Sequence, residues 1–421
     1  MSENICIQKD PLSKDLFIDN ANKINEIIKK NKSFVFYFSP DPDAVGASVA
    51  LALYIRSHRR ECTIYLPDGF DKNLDFLFDI AIYNNINVVQ DIDIVKSIIE
   101  TKKAVIVSCD TPTHFLLPNN EQMLAFLDEK SEQTHIEIDH HFGADSEQTF
   151  RNAVTLFSKT NSCCEIIAEF FTVICFDLHG LTADEADEKA KELSMNDIDF
   201  DKYFPRNIVL SLLVGICFDT HFGKFVTNKD SYYRWFNLLS DRLKDLTWGD
   251  ARKISSSQMV FDTINRMNET KKKTLERYVS KTAVVKGIGL LIMPPVDKYE
   301  SLAKSKDSTC VFCKLTGDFS NMVPDFAGAI GIFAYYDNLY QLYYIKIRRT
   351  AEFKEYDLRN LESLFNKVFN AYFLGGGGHE GATSFRVADI GRVAFVRKMK
   401  QFRDELVGLI GDKTVQYDKN M

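Results

Sequence analysis

The chain lacks any stretch close to the roughly 18 apolar residues that a membrane-spanning helix needs, and its opening, MSENICIQKDPLSKD, holds no apolar core of the kind a secretion signal carries. A cytoplasmic protein with no membrane partner is therefore expected. The chain also lacks an excess of positive charge: 52 Lys and Arg stand against 59 Asp and Glu, for a net charge of −7. That balance argues against coating long nucleic acid through a global basic field. It leaves short anionic substrates open, because bound metal and a few local Arg or Lys residues can supply the positive charge they need. A zinc module lacks its second half. The nine cysteines are scattered, which without a secretion signal suggests reduced thiols, and Cys310 and Cys313 have no partner pair at zinc-binding spacing. Their flanks, STCVFCKLTG, read as a strand. No internal repeat or low-complexity segment is present.

What the chain does have is an ordinary globular composition, with 45% apolar and 26% charged residues. At 421 residues it exceeds one typical core, so two domains are expected. From residue 34 to about 180, short β-rich runs alternate with helical patterns, as in doubly wound folds. FVFYF, CTIYL, INVV, AVIVSC and HIEI read as strands; AVGASVALALYIRSH, NLDFLFDIAIY, IVKSIIE, QMLAFLDEK and SCCEIIAEFFTVICF read as helices. The charged run LTADEADEKAKELSMNDIDFDK reads as a solvated helical face. IVLSLLVGICFDT is an apolar, helical run that delivers Asp219. A polar, Lys-rich stretch over 248–281 reads as a helical connector. Beyond it come three β-rich runs, TAVVKGIGLLIMP, FAGAIGIFAYY and LYQLYYIKIRR, then the helical LESLFNKVFNAYF and a loop, LGGGGHEGATSFRV. The expected architecture is α/β in two lobes: a mostly parallel, doubly wound domain over 1–247, the connector, and a smaller α/β domain over 282–421.

Three apolar runs of the first lobe end in aspartate: FVFYFSPDPD in Asp41 and Asp43, AVIVSCD in Asp110, and HIEIDHH in Asp139, followed by His140 and His141. In an open α/β sheet, ligands bind beyond the carboxyl ends of the strands, so these carboxylates are expected to converge on one crevice. Like charges brought that close repel unless a cation neutralises them, and Asp with His suits manganese or a similar divalent ion. Hydrolysis of a phosphodiester, a stable anion, needs an activated water and neutralised phosphoryl charge, and a pair of divalent ions supplies both. Each aspartate taken singly reads equally well as a helix cap or turn residue; Asp43, for instance, precedes the helix beginning near Ala44.

The order DPDAVGAS, SCDT, IDHH, GICFDT and a late GGGGHEGA resembles the DHH phosphoesterase superfamily with its associated C-terminal substrate-binding domain, in particular the RecJ-like nanoRNases and the phosphodiesterases of cyclic dinucleotides and of 3′-phosphoadenosine 5′-phosphate. The resemblance covers nearly the whole chain. It implies two manganese ions, with Asp110 bridging both, Asp41 on the first, and Asp43, His140 and Asp219 completing the second. It further casts Asp139 as the partner that fixes an imidazole tautomer and His141 as a donor to the scissile phosphate. Arg349 and the loop carrying Gly376, Gly377, Gly378 and His379 would hold the distal phosphate, the glycines by turning backbone N–H groups toward one point. Arg348, adjacent on a strand, should face the other way.

The chain departs from the family pattern where a histidine usually stands three residues before the proline of PDxD; here that residue is Tyr37, a strand aromatic and a poor manganese ligand. The first metal site is expected to be weakened, with His221 the one other histidine near enough in sequence to Asp219 to replace the ligand. IDHHFGAD lacks the common proline after DHH, and GATS replaces the usual AAG. The expected function is manganese-dependent hydrolysis of a short nucleotide substrate, as nanoRNase exonuclease or phosphoadenosine phosphate phosphatase, with cyclic or linearised dinucleotides next and polyphosphate or pyrophosphate third. The competing expectation is a non-catalytic nucleotide-binding protein. A homodimer is a candidate assembly.

Overall fold

The structure is a computed structural model that describes residues 8–67, 70–128, 133–143, 146–150, 152–175, 198–247, 253–266, 269–294, 311–337 and 340–418. The chain divides into two compact units, Met1–Arg266 and Met267–Met421.

In the first unit, β1 (Ser33–Phe36), β2 (Glu61–Tyr65), β3 (Asn87–Val89), β4 (Val105–Cys109), β5 (His135–Asp139) and β6 (Val154–Phe157) form one parallel sheet in the order β3-β2-β1-β4-β5-β6. The period-2 alternation of the strands decides which face each residue joins. Phe34, Phe36, Val105, Val107, Ile136 and Ile138 point into one core with α1 (Lys14–Lys30), α2 (Pro42–Ser57), α3 (Asp75–Tyr83), α6 (Cys163–Cys175) and the helix Arg206–Asp219. Val35, Tyr37 and Ile106 point into another with α4 (Ile92–Lys102) and α5 (Asn120–Asp128). The expected doubly wound architecture is what the chain adopts. Its strand order reverses between β1 and β4, and this is the switch point at which such sheets bind ligands.

The helices Lys229–Thr247 and Arg392–Asp418 carried no expectation, nor did two elements of the first unit that flank its sheet. Helix α1 is capped by Ser13, whose side chain accepts from Leu16 N, and buries Phe17, Ile18, Ala21, Ile24 and Ile28 at helical spacing. Strand β6 closes the sheet edge beside β5. Of the charged run 181–202, residues 181–197 lie outside the described residues, and the rest falls in the helix Ile198–Tyr203.

The second unit is a mixed sheet in the order β11-β12-β10-β9-β8-β7, built from β7 (Ala283–Val285), β8 (Ile288–Ile292), β9 (Ile330–Asp337), β10 (Leu342–Arg349), β11 (Phe373–His379) and β12 (Ala382–Ala388). All its neighbours are antiparallel except β8 and β9. The helices Leu361–Phe369 and Arg392–Asp418 cover one face, and Glu269–Val279 and Val311–Ala327 the other. Of the stretch expected as a connector, the helix Ser257–Ile264 falls in the first unit and Glu269–Val279 in the second.

Two expectations are corrected here. Cys313 lies in the helix Val311–Ala327, not in a strand, while Cys310 is outside the described residues. The reason is legible in Leu315, Phe319 and Val323, whose four-residue spacing buries one helical face. The Gly-rich run is a strand, not a loop: Gly376, Gly377, Gly378 and His379 pair with β12. Strand pairing uses the backbone alone, and the glycines admit a close approach. A Cβ at Gly376 would sit 2.7 Å from Phe385 Cδ1, and one at Gly378, where φ is +152°, 2.7 Å from Thr383 Cα.

Candidate metal centre

The switch point gathers the aspartates. Asp41 follows β1 and caps α2, its Oδ1 accepting from Ala44 N at 2.9 Å. Asp43, two residues on, is fully buried and points at the start of α6, where its Oδ2 accepts from Cys163 N at 2.5 Å and its Oδ1 from Cys164 N at 3.0 Å. The positive end of that helix therefore fixes its orientation. Asp110 follows β4 with φ at +54°, a left-handed conformation that aspartate tolerates better than most residues, and its N–H donates to Ile138 O at 2.8 Å. Asp139 ends β5, and Asp219 ends the helix Arg206–Asp219.

That last helix lies close against α2 because each supplies a glycine. A Cβ at Gly46 would meet Ser211 O at 2.5 Å, and one at Gly215 would meet Cys164 Sγ at 2.5 Å and Asp43 Cγ at 2.9 Å. A glycine inside an apolar helix is the sequence signal for such an approach, and it went unread.

Between these carboxylates stands His140. Its Nε2 lies 3.2 Å from Asp110 Oδ1, 3.2 Å from Asp219 Oδ2 and 3.9 Å from Asp43 Oδ2. Asp110 Oδ1 and His140 Nε2 are both buried, yet neither makes a hydrogen bond. Buried polar atoms are rarely left so, and each orphan calls for an explanation. Two sets of donor atoms each lie within 4.8 Å of one another: Asp43, Asp110, His140 and Asp219, and Asp110, Asp139, His140 and His141. Asp110 and His140 belong to both. Carboxylate oxygen and imidazole nitrogen are a donor set for manganese and similar ions, so the residues fit a divalent cation.

The electrostatics agree. Burial, then the charges of Asp110 and Asp219, push the Asp43 and Asp41 carboxyls well above the usual range. Burial, and after it the charge of Asp110, raises Asp219 too, against the pull of the His140 and His141 imidazoles. Burial would also raise Asp110, but the two imidazoles beside it hold it far below. In return, and against their own burial, Asp110 and Asp219 hold His140 well above the ordinary histidine value, and Asp110 and Asp139 hold His141 at about 10. Without metal, the cluster survives by keeping protons that a cation would displace.

Asp139 spends both oxygens. Oδ1 accepts from His141 N at 2.9 Å and faces His141 Nδ1 at 2.8 Å; Oδ2 accepts from Lys9 Nζ at 2.5 Å. Lys9, fully buried, also lies 3.1 Å from Glu137 Oε1. The sequence reading missed both. Glu137 was visible as a charge inside a buried strand, but nothing marked Lys9, which lies 130 residues from Asp139.

Asp41 is in neither donor set. Tyr37 is buried, with its hydroxyl donating to Pro118 O at 2.7 Å and its ring 6.0 Å from that of Tyr65. The His221 ring packs against Phe225 and Phe261 and is in neither set. In the second unit, Arg349 is buried, with its guanidinium donating to Glu380 O, Phe353 O and Glu380 Oε1 at 3.2, 2.8 and 2.9 Å. His379 ends β11 and is exposed, and Arg348 alternates to the face opposite Arg349.

Residues 34–199 match the model of the DHH family, N-terminal domain. No curated protein matches the chain. Among solved structures, an exopolyphosphatase-related protein from Bacteroides fragilis is similar over 93% of this chain and 97% of its own, at 16% identity and a TM-score of 0.62. RecJ in complex with Mn2+ from Thermus thermophilus aligns with 94% of this chain and 56% of its own, at 12% identity and a TM-score of 0.46.

Proposed function

We infer, from a chain whose residues 34–199 match the model of the DHH family's N-terminal domain, that the protein is a divalent-metal-dependent phosphoesterase acting on a short nucleotide substrate. The observation that carries this reading is the pair of donor sets sharing Asp110 and His140, with an orphaned buried atom on each shared residue. Asp43, Asp110, His140 and Asp219 would hold one manganese ion, and Asp110 with Asp41 the other. When bound, such ions lower the pKa of water and neutralise charge on the phosphoryl group. The residues themselves do the rest. Asp139 keeps the His141 imidazole turned by its Nδ1 edge, which leaves the Nε2 edge to donate to the scissile phosphate. Asp43, held by two amide donors of α6, is fixed before metal arrives, so little ordering remains at binding. Arg349, Gly376, Gly377, Gly378 and His379 would receive the distal phosphate, with Arg349 leaving Glu380 to do so.

The test is a panel with manganese: short RNA, phosphoadenosine phosphate, cyclic and linear dinucleotides, pyrophosphate and polyphosphate. Hydrolysis of a short RNA or nucleotide is expected, and Asp110→Ala should abolish it and reduce bound manganese. Retention of more than about a tenth of the activity would count against the assignment, since losing a shared ligand costs orders of magnitude. Tyr37 favours one second reading, a non-catalytic nucleotide-binding protein, because its hydroxyl is committed to Pro118 O where the family usually has a ligand histidine. Binding without turnover across the panel would favour that reading.

A further inference from the structure

The site's neutralising charge does not come from metal alone. Lys9 places an ammonium group among Asp139 Oδ2 at 2.5 Å, Thr111 O at 2.5 Å and Glu137 Oε1 at 3.1 Å. Those three acceptors match the three donors of an ammonium group. Burying a lysine is costly unless it is paired and fully bonded, and here both conditions are met. The lysine is also held in place by its backbone. Lys9 N donates to Ser146 O, and Gln8 bridges to Glu147, in the segment that follows the two histidines. Glu137 cannot follow a displaced lysine, because Thr149 N and Phe150 N donate to its carboxylate. The ammonium is thus fastened between the ends of β4 and β5, against Thr111 and Asp139.

We propose that Lys9 is a positioning residue that decides the role of Asp139. Asp139 belongs by distance to a donor set with Asp110, His140 and His141, so it has two roles open to it: metal ligand, or orienter of the imidazole. With Oδ2 taken by Lys9 and Oδ1 by the N–H and Nδ1 of His141, the carboxylate has no oxygen turned to a cation. Lys9 thereby keeps Asp139 out of the metal shell and keeps His141 in one orientation. Without the lysine, Oδ2 is released, the anion loses its fixed counter-charge, and the carboxylate is drawn to the nearest cation, which is the metal. The prediction is specific in sign: manganese binding holds or tightens while turnover falls.

This inference rests on the phosphoesterase reading only where turnover is measured, and the test separates the two. Lys9→Met keeps length and apolar volume and removes the charge. Expected for the folded variant are a loss in kcat of about tenfold or more, KM within about twofold, and manganese affinity equal to or tighter than wild type by calorimetry with the metal alone. Nitrogen-15 spectra of the magnesium-loaded protein should show the His141 Nδ1-bound proton in the wild type and its loss in the variant. Parallel loss of kcat and manganese binding would mean that the lysine only holds the site together, and it would overturn the proposal. So would a folded variant that keeps both the His141 signal and a kcat within about twofold. If Lys9→Met does not fold, Lys9→Met with Glu137→Gln removes one of the two carboxylates the lysine serves. That double variant must fold and show the same split; failure to fold, or wild-type kcat, sinks the idea. If the wild type hydrolyses nothing, the phosphoesterase reading fails, and the His141 signal and the manganese titration still decide the role of Lys9.

Discussion

Gly215→Ala sets two terms of opposite sign against each other. By helix propensity alone, alanine inside Arg206–Asp219 should stabilise by about 1 kcal/mol. The structure predicts the reverse. The new methyl would lie 2.5 Å from Cys164 Sγ and 2.9 Å from Asp43 Cγ, and closer still to Asp43 Oδ1. None of these is a flexible chain end. Cys164 sits in the first turn of α6, and Asp43 is tied by two hydrogen bonds to that same turn. Relieving the overlap means moving a helix or turning the carboxylate off its amide donors. Overpacking costs about 1–3 kcal/mol, and a buried carboxylate that loses a donor costs a further 1–3 kcal/mol. Set against the propensity gain, the net expectation is destabilisation by about 1–5 kcal/mol, with manganese affinity at the Asp43 site down by about tenfold or more. Chemical denaturation of the metal-free protein reads the first quantity, and calorimetric titration with manganese the second. Gly408→Ala is the control: it lies exposed in Arg392–Asp418 with open space around its Cβ position, and it should stabilise by up to about 1 kcal/mol. If Gly215→Ala is as stable as that control and binds manganese normally, the close approach of the helices does not position Asp43.

Manganese binding should release protons at neutral pH and tighten as pH rises, because the metal-free site keeps His140 protonated; equal binding heats in buffers of different ionisation enthalpy would refute this. The imidazolium pairing of His141 should stabilise the metal-free protein fully below about 6.5, with that contribution lost as pH climbs to about 10, so chelator-treated protein should lose this share of its denaturation midpoint across that window. Tyr37→Phe removes a buried donor from Pro118 O and should cost about 1–3 kcal/mol while leaving manganese affinity unchanged; a weakened metal site would show instead that the phenol serves the first ion. Arg349→Ala should raise KM on the best substrate and leave manganese binding untouched, and unchanged kinetics on every active substrate would remove this arginine from phosphate binding.

The parallel sheet and its carboxylates were legible for one shared reason. A strand buried on both faces reads as a continuous apolar run, and a switch-point site adds a charged residue at the point where that run stops. Asp43, Asp110 and His140 stand at such points, while Asp219 ends a helical run and is implied by the resemblance alone; the fold brings all four together. The same logic misplaced what lay outside it. The Gly-rich run reads as a loop because glycine has no side-chain pattern, although strand pairing with β12 needs only its backbone. The pair Cys310 and Cys313 drew attention to itself and away from Leu315, Phe319 and Val323, whose spacing already gave the helix. Asp41 and Arg349 show a different limit. Their residue types fit a ligand and a phosphate clamp, but a carboxylate that caps a helix and a guanidinium that binds two carbonyls and a glutamate serve the fold with the same atoms. Which use prevails is decided by distance. Lys9 is the extreme case: its position at the centre is a property of tertiary structure alone, set by a backbone bridge to residues 146 and 147, and no local pattern announces a partner more than a hundred residues away. What the sequence did hold was the other half of that pair, a glutamate in the middle of a buried strand, and a buried carboxylate of that kind demands a cation from somewhere.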